Sequence, residues 1–404
     1  MIGAQFFTTI NFGIFIDTLK LLTYKLPYLR FGNEQDKLEQ EFKQYLNATE
    51  SKIYSFYNGR SALYHALKSL NFPAWTDILV SSYTCVSVVN TILQAWYNPV
   101  YVDIDESLNM TLSDAKNKKT QNTKAIIVQH TFWNPANMFE FTEWAHKENL
   151  VLIEDVAHWL GGEIWWKKLW TFGDMAIFST WRDKVISSVT WWFLLVNNDE
   201  LEIKRPNLIP VSRKLALQNL FYNIIAYLAW KTYDIKLWKV LMYLANKLKL
   251  IPPILTPNEK ACNFQKFFYQ LPNSLAYLAR KQLKQVDKIN QHRIKLANEY
   301  KSKLKDFKFP NEEKFAKNIY FWVPVILENE KQVEDIVKKW RENNIYFGIY
   351  WTGENIVPQW TNLENCKYKK WTCPNAENLS KRILILPNHY QVKSIDKILE
   401  VLQK

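Results

Sequence analysis

The hydrophobic positions between residues 60 and 200 alternate between two periodicities. Short apolar runs rich in β-branched and aromatic residues are separated by stretches in which apolar residues recur every three or four positions. The runs predict strands at residues 78–81, 100–104, 125–129, 151–154, 175–178 and 193–196. The recurring pattern predicts helices at residues 61–70, 87–95 and 138–148. The strands are continuously apolar, so we predict an α/β fold with a mostly parallel sheet between helices and ligands at the carboxyl ends of the strands.

The pattern changes after residue 200. Residues 200–310 are predicted to be helical, with one long charged helix at 282–305. Beyond them we predict a strand, a helix, two strands and a final helix, at residues 319–327, 331–343, 345–350, 382–386 and 394–403. The expected parts are an N-terminal helical segment, a large α/β domain with a helical insert at about 215–250, interdomain helices and a small α+β domain. Their predicted boundaries are 1–50, 51–255, 256–310 and 311–404.

The most apolar run, residues 215–230, contains Gln218, Asn219 and Asn223 and falls short of the roughly 20 residues of a membrane span. A basic stretch follows it at 236–249. This combination has two interpretations: the segment lies in a membrane surface, or it forms a helical hairpin that packs on the protein or on a dimer partner. Because the first residues lack a signal-peptide pattern, we expect a cytoplasmic protein, at the inner face of the membrane if the insert contacts lipid.

Composition narrows the class of protein. A hydrophobic content of 48% excludes a disordered chain. The four cysteines are too few for a disulfide framework, and none has zinc-ligand spacing with another cysteine or a histidine, so no metal site is expected. The net charge of +13 is compatible with an anionic partner such as nucleic acid, membrane or a phosphorylated substrate.

Three segments at predicted strand ends carry candidate chemistry. Gly59-Arg60-Ser61 leads into a helix, where backbone N–H groups and the Ser61 hydroxyl can hold a phosphate, although any helix N-cap looks similar. Asp155 is either a helix cap or a buried acid that needs a cation such as a protonated pyridine. Lys184 is either a solvated loop lysine or an amine that forms a Schiff base. Jointly they specify pyridoxal phosphate, which has one phosphate, one pyridine nitrogen and one aldehyde.

The chain resembles the DegT-type sugar aminotransferases, which have the aspartate aminotransferase fold (fold type I of pyridoxal-phosphate enzymes). The resemblance runs from about Asn58 to the C-terminus. It rests on segments that begin at Gly59, Tyr83, Pro99, His130, Glu154, Thr171 and Arg182. It implies a transaminase that acts on a nucleotide-linked keto-sugar, with glutamate as amino donor, in surface polysaccharide or lipopolysaccharide synthesis. It also implies a homodimer, and no nucleic-acid partner is expected.

By this resemblance, Lys184 forms the Schiff base with the cofactor and later carries the substrate proton, while Asp155 keeps the pyridine nitrogen protonated. His158 occupies the place of a cofactor-contacting glutamine or histidine. The residues assigned to the phosphate are Gly59, Arg60, Ser61 and Ser179.

The sequence departs from the family pattern at two positions. Cys85 stands where many members stack an aromatic ring on the cofactor, which leaves Tyr83 as an alternative. Phe268-Tyr269-Gln270 replaces an Asn-Tyr-Arg segment that usually reaches the phosphate of a neighbouring subunit. A dehydratase branch of the family has histidine in place of the Schiff-base lysine, and Lys184 argues against that branch. The remaining rivals are a non-catalytic or regulatory protein of the same fold and a membrane-associated scaffold built on residues 215–250.

The glycine content is anomalous. The chain has 9 glycines and 18 tryptophans, whereas ordinary usage of about 7% would give about 28 glycines. Many tryptophans stand beside turn-forming residues or in pairs, where a flexible residue is expected. In the family the positions of Trp75, Trp96, Trp133, Trp166, Trp170, Trp191 and Trp192 are commonly glycine. We therefore interpret most tryptophans as UGA codons that the source organism reads as glycine; the alternative is a genuinely tryptophan-rich protein, such as a carbohydrate binder.

Overall fold

The structure is a computed structural model, and it describes residues 9–23, 26–203, 207–253, 255–263, 268–347, 349 and 351–403. The α-helices are α1 (Phe12–Thr23), α2 (Glu34–Leu46), α3 (Gly59–Ser69), α4 (Val86–Gln94), α5 (Leu112–Lys118), α6 (Met138–Lys147), α7 (Arg213–Lys231), α8 (Leu237–Lys247), α9 (Pro257–Lys260), α10 (Asn273–Leu283), α11 (Val286–Lys303), α12 (Glu330–Glu342), α13 (Pro374–Arg382) and α14 (Asp396–Gln403). A short 3-10 helix spans Leu26–Tyr28.

The strands are β1 (Lys52–Phe56), β2 (Asp77–Ser81), β3 (Thr84–Cys85), β4 (Asn98–Val102), β5 (Thr123–Gln129), β6 (Val151–Asp155), β7 (Glu163–Ile164), β8 (Lys167–Lys168), β9 (Met175–Ser179), β10 (Trp192–Val196), β11 (Ile209–Pro210), β12 (Tyr269–Gln270), β13 (Ala316–Lys317), β14 (Val323–Ile326), β15 (Ile356–Val357) and β16 (Ile383–Leu386).

A seven-stranded sheet lies at the centre of the fold, in the order β1-β10-β9-β6-β5-β2-β4. Strands β4, β2, β5, β6 and β9 run parallel, whereas β10 is antiparallel to both of its neighbours. Helices pack against this sheet, and every residue of β2 and of β9 is buried. The predicted α/β class with a mostly parallel sheet is therefore confirmed.

All six strands predicted between residues 60 and 200 are present, with ends that differ by one or two residues. β1 was not predicted, because its alternating KIYSF pattern is partly exposed and lacks the apolar run used to find the others. The predicted long charged helix at 282–305 is present as α11, which begins four residues later than predicted because residues 282 and 283 end α10 and Lys284-Gln285 separates the two helices. Residues 345–347 and 349 form no strand, and 348 and 350 lie outside the described residues.

The predicted insert at 215–250 forms α7 and α8. Tyr222, Tyr227 and Trp238 pack with Ile10 and Ile14 of the N-terminal segment in a hydrophobic cluster separate from the main core. In the described part of the chain no helix is long and apolar enough to cross a bilayer.

Glu154 fixes the loop that precedes β9. It is fully buried, and its carboxylate accepts hydrogen bonds from the backbone N–H groups of Trp170 (3.0 Å), Phe172 (2.7 Å) and Gly173 (2.7 Å). The His130 Nε2 lies 3.4 Å away. Because side chains alternate along a strand, Glu154 and its neighbour Asp155 point to opposite faces of the sheet.

We expect Glu154→Gln to lower the free energy of unfolding by about 1–3 kcal/mol, because the amide nitrogen cannot accept the N–H groups that one carboxylate oxygen accepts. Urea denaturation measures this difference. The control is Glu148→Gln, where the ion pair with Lys119 is partly exposed and the change should stay within about 0.5 kcal/mol. Equal effects of the two substitutions would contradict a structural role for Glu154.

Candidate active site

A cavity opens at the carboxyl edge of the central sheet. Asp155 ends β6, Gln129 ends β5, and both line this cavity. The segment Trp181-Arg182-Asp183-Lys184 follows β9 and forms another part of the wall. The N-terminus of α3 closes a further side. The cavity therefore lies where open α/β sheets bind ligands.

The structure brings six of the predicted site residues to the cavity wall: Gly59, Arg60, Cys85, Asp155, His158 and Lys184. It does not bring Ser61, Tyr83 and Ser179 to that wall. The Tyr83 ring is fully buried, and its hydroxyl donates to the Trp351 carbonyl at 2.5 Å. The Ser179 hydroxyl accepts the Trp181 N–H at 3.3 Å.

Asp155 is a buried acid within the cavity. Its Oδ1 accepts the Ala157 N–H at 3.0 Å, but the residues that follow form turns and begin no helix, so Asp155 is not the helix cap considered from the sequence. Burial raises the pKa of its carboxyl, while the Ala157 hydrogen bond and the charges of Lys184 and His130 oppose this rise. Because burial dominates, the hydrogen bond and the nearby positive charges of the described residues do not offset the cost of removing the Asp155 carboxylate from water.

His158 is held as a neutral ring. Burial lowers its pKa well below the ordinary value, and the nearby charge of Lys184 acts in the same direction. The Phe132 N–H donates to Nδ1 at 3.2 Å, and the ring stacks on Phe321 with centroids 4.8 Å apart. A neutral imidazole that accepts at Nδ1 carries its proton on Nε2, so His158 can donate a hydrogen bond from that atom.

Lys184 is only 9% exposed and lies in the loop between β9 and β10. Its backbone N–H donates to the Trp181 carbonyl at 2.8 Å, which forms a tight turn. Its Nζ lies 5.5 Å from the centroid of the Phe321 ring. The side chain is thus a buried amine beside an aromatic face, in the same cavity as Asp155.

The N-terminus of α3 has a regular cap. The Asn58 Oδ1 accepts both the Ser61 N–H (2.9 Å) and the Ser61 hydroxyl (3.0 Å). Arg60 forms an ion pair with Glu259, which itself lies in a capping box at the start of α9. The indole of Trp192 lies directly against Gly59: a Cβ built on Gly59 would be 2.4 Å from ring atoms of Trp192. This ring covers the first turn of the helix on the cavity side.

The later part of the chain closes the cavity through a small parallel pairing. β15 pairs with β3, which sets Val357 opposite Cys85. Trp351, Pro358 and Gln359 thereby join the wall. These residues were missed from the sequence, because a two-residue strand pairing across more than 250 positions has no local pattern. Burial raises the pKa of the Cys85 thiol, so this residue presents mainly a neutral thiol to the cavity.

The fold and the cavity define an α/β protein with a buried acid, a buried amine and a helix N-terminus around one ligand site. The DegT/DnrJ/EryC1/StrS aminotransferase family matches residues 22–217 and 261–403, and the chain belongs to this family. It is therefore a pyridoxal-phosphate-dependent aminotransferase.

Individual relatives span nearly the whole chain. The GDP-perosamine synthase of Vibrio cholerae is 26% identical over 362 residues, which are 88% of this chain and 86% of that protein. The spore coat polysaccharide biosynthesis protein SpsC of Bacillus subtilis is 23% identical over 395 residues, 94% of this chain and 92% of its own. The PLP form of a putative sugar aminotransferase from Streptococcus pneumoniae has the same fold, with a TM-score of 0.73, 16% identity and coverage of 98% and 96%.

The raised pKa of Asp155 predicts a stability cost in the cofactor-free protein. Folding raises this pKa above the unfolded value of about 3.9, so the ionised side chain destabilises the folded state once the pH exceeds that value. We expect Asp155→Asn to increase the free energy of unfolding of the cofactor-free protein at pH 7, and this gain to shrink as the pH falls toward about 4. Urea denaturation at both pH values measures it.

The matched control is Asp114→Asn, since Asp114 forms an ion pair with Lys118 at 2.9 Å and accepts the Asp103 N–H at 2.6 Å. That substitution should destabilise the protein. A loss of stability at pH 7 in cofactor-free Asp155→Asn would contradict an uncompensated charge at Asp155.

Proposed function

We propose that the cavity is the active site of an aminotransferase that moves an amino group, with glutamate as donor, onto a nucleotide-linked keto-sugar for surface polysaccharide or lipopolysaccharide synthesis. The observation that carries this proposal is the burial of Asp155 and Lys184 in one cavity beside the N-terminus of α3. A buried acid and a buried amine are costly unless a ligand uses both.

The donor set fits pyridoxal phosphate. The uncompensated Asp155 carboxylate matches a protonated pyridine nitrogen, and the Lys184 amine matches the aldehyde carbon. The Gly59 end of α3 offers backbone N–H groups to a phosphate, whereas the Ser61 and Ser179 hydroxyls assigned from the sequence do not line the cavity. The ring of Trp192 covers this end of the helix and does not fit a phosphate bound there.

The bound cofactor supplies an electrophilic carbon for amines and a ring that accepts an electron pair. Lys184 would hold that carbon through its Nζ and would move the proton at the carbon that carries the transferred nitrogen. Asp155 would keep a proton on the ring nitrogen, and the Nε2–H of His158 would donate a hydrogen bond to a ring substituent. Trp351 and Gln359 shield the cavity from water on the side of the later chain.

The substrate class rests on the relatives. One is a GDP-perosamine synthase and another takes part in spore coat polysaccharide biosynthesis, so a nucleotide-sugar substrate in glycan synthesis is the simplest assignment for this chain.

We infer a cytoplasmic homodimer. All four cysteines are free thiols, which a reducing compartment maintains. The dimer follows from the family resemblance, in which a neighbouring subunit reaches the phosphate. Here the corresponding Gln270 side chain donates to Gln35 of its own chain at 3.2 Å, so the contact to a neighbouring subunit differs from the family pattern.

We propose further that the cell reads many of the printed tryptophans as glycine. Seven of the 18 tryptophans have positive φ in the described residues: Trp75, Trp96, Trp165, Trp166, Trp170, Trp360 and Trp371. Positive φ is uncommon outside glycine and asparagine, and it strains a bulky side chain by about 1 kcal/mol or more. Asparagine, the usual residue in this conformation, has it at only four positions.

The seven positions that are commonly glycine in the family each carry a mark of misfit. Trp75, Trp96 and Trp166 are exposed at turns with positive φ, and Trp170 combines positive φ with a buried indole N–H that has no acceptor in the described structure. Trp192 covers the helix N-terminus.

Trp133 and Trp191 differ from the expectation of turns and pocket crowding, because both are fully buried in hydrophobic clusters. Their indole N–H groups nevertheless lack acceptors among the described residues, and such a buried donor costs about 1–3 kcal/mol. Tryptophan at either position therefore carries the cost of a buried indole N–H without an acceptor, which glycine would avoid.

We expect Lys184→Ala to abolish transamination while the fold is retained, because no second amine lines the cavity in the described structure. Turnover with glutamate and the visible absorbance of the cofactor measure the loss, and circular dichroism checks the fold. Lys317→Ala, at an exposed lysine, is the control and should keep full activity. Substantial transamination by Lys184→Ala would contradict the role of Lys184 as the Schiff-base lysine. A dehydrated sugar product from the parent enzyme would show that the reaction is a dehydration and not a transamination.

We expect the protein with all seven family positions changed to glycine to be a soluble, cofactor-binding protein, and the printed chain to aggregate. Several strained or unsatisfied sites together cost about as much as the usual 5–15 kcal/mol of stability, which leaves no margin for folding. Soluble yield and cofactor absorbance measure the difference. The control is Trp144→Gly, since Trp144 lies in α6 without positive φ and packs in the core, so its loss should destabilise. Peptide masses with tryptophan at these seven positions in protein from the native source would refute the proposal.

A further inference from the structure

α8 carries an exposed apolar stripe. Leu237, Val240, Leu244 and Leu248 recur at helical spacing and are between 42% and 62% exposed, while Trp238 and Ala245 on the adjacent face are buried. Ile235 at the tip of the α7–α8 hairpin is 74% exposed. We call these five exposed residues the α8 stripe. Exposed apolar residues grouped in this way mark a contact surface.

The charged residues around the stripe are predominantly basic. Between residues 209 and 250 the chain has seven basic residues and one acidic residue, Asp234. In the described part of the structure none of the seven forms an ion pair with a carboxylate. Lys236 and Lys247 lie along one edge of the stripe, by helical spacing. An apolar stripe edged by lysines is complementary to an anionic, partly apolar surface.

The hairpin is separate from the shared body of the family. The family match ends at residue 217 and resumes at 261, so most of α7 and all of α8 lie outside it. No residue of the α8 stripe lines the active-site cavity. The stripe is therefore not explained by the chemistry that the family shares.

We propose that the α8 stripe and its lysines bind the surface of an anionic lipid bilayer. The apolar residues enter the headgroup region, and each lysine near the surface adds attraction to anionic lipids. A second copy of the chain fits less well, because a twofold contact sets the same patch against itself and brings the lysines of both copies together. The proposal is independent of the catalytic assignment. It is also independent of the proposal that many tryptophans are glycine in the cell, because none of the stripe residues is a tryptophan.

The test is co-sedimentation of the full-length chain, with glycine at the seven family positions so that it is soluble, with vesicles of phosphatidylcholine and phosphatidylglycerol in equal amounts, and with vesicles of phosphatidylcholine alone. We expect binding to the mixed vesicles that weakens with added salt, and far weaker binding to the neutral ones. The double substitution Lys236→Gln and Lys247→Gln should reduce the partition coefficient by up to about 25-fold, or about fivefold for each lysine. Leu244→Asp should also reduce it at least tenfold.

Two controls guard against misfolding and general charge effects. Lys331→Gln with Lys338→Gln on α12 removes the same charge elsewhere and should leave lipid binding nearly unchanged. Circular dichroism and cofactor absorbance should match the parent chain in every variant. Absent binding, equal binding to both vesicle types, or equal loss from the α12 control overturns the proposal. So does a loss of dimer in Leu244→Asp by light scattering without lipid, which would assign the stripe to a second copy.

Discussion

The buried carboxylate of Asp155 is the constraint on which the site depends. A charge taken out of water needs a partner, and the protein groups around Asp155 leave burial as the dominant influence on its pKa. Such a group either takes up a proton or is stabilised in its ionised form by a cation. A cationic ligand at the end of β6 would therefore favour the ionised form of Asp155, and the nearby Lys184 limits which ligands fit.

Glu154 and Asp155 are adjacent on β6 but have different roles, because successive side chains of a strand point to opposite faces of the sheet. Glu154 accepts three backbone N–H groups and holds the loop that leads into β9, and β9 in turn leads to Lys184. Asp155 faces the cavity. The carboxylate that stabilises the scaffold therefore also sets where the reactive lysine starts, so the positions of the acid and the amine are coupled through one strand pairing, β6 with β9.

Sequence patterns predicted those parts of the site that follow directly from strands. Asp155 and Lys184 stand just beyond buried apolar runs, and such runs are visible in the sequence. Trp351 and Gln359 reach the cavity only because β15 pairs with β3, and the division between α10 and α11 is set by packing, so neither has a local signal. The placement of Tyr83 away from the cavity likewise depends on its hydrogen bond to the Trp351 carbonyl.

The tryptophans link the local backbone to the site. A backbone that turns with positive φ is a property of the fold, which the chain keeps even where the printed residue opposes it. At Trp75, Trp96 and Trp166 the indole is simply displaced into solvent. At Trp192 the partly exposed ring lies against Gly59, lines the cavity and occupies the approach to the α3 N-terminus. Glycine at position 192 would leave the backbone N–H groups of the α3 N-terminus open to a phosphate. The tryptophan that fits poorly thus lies at the expected phosphate site.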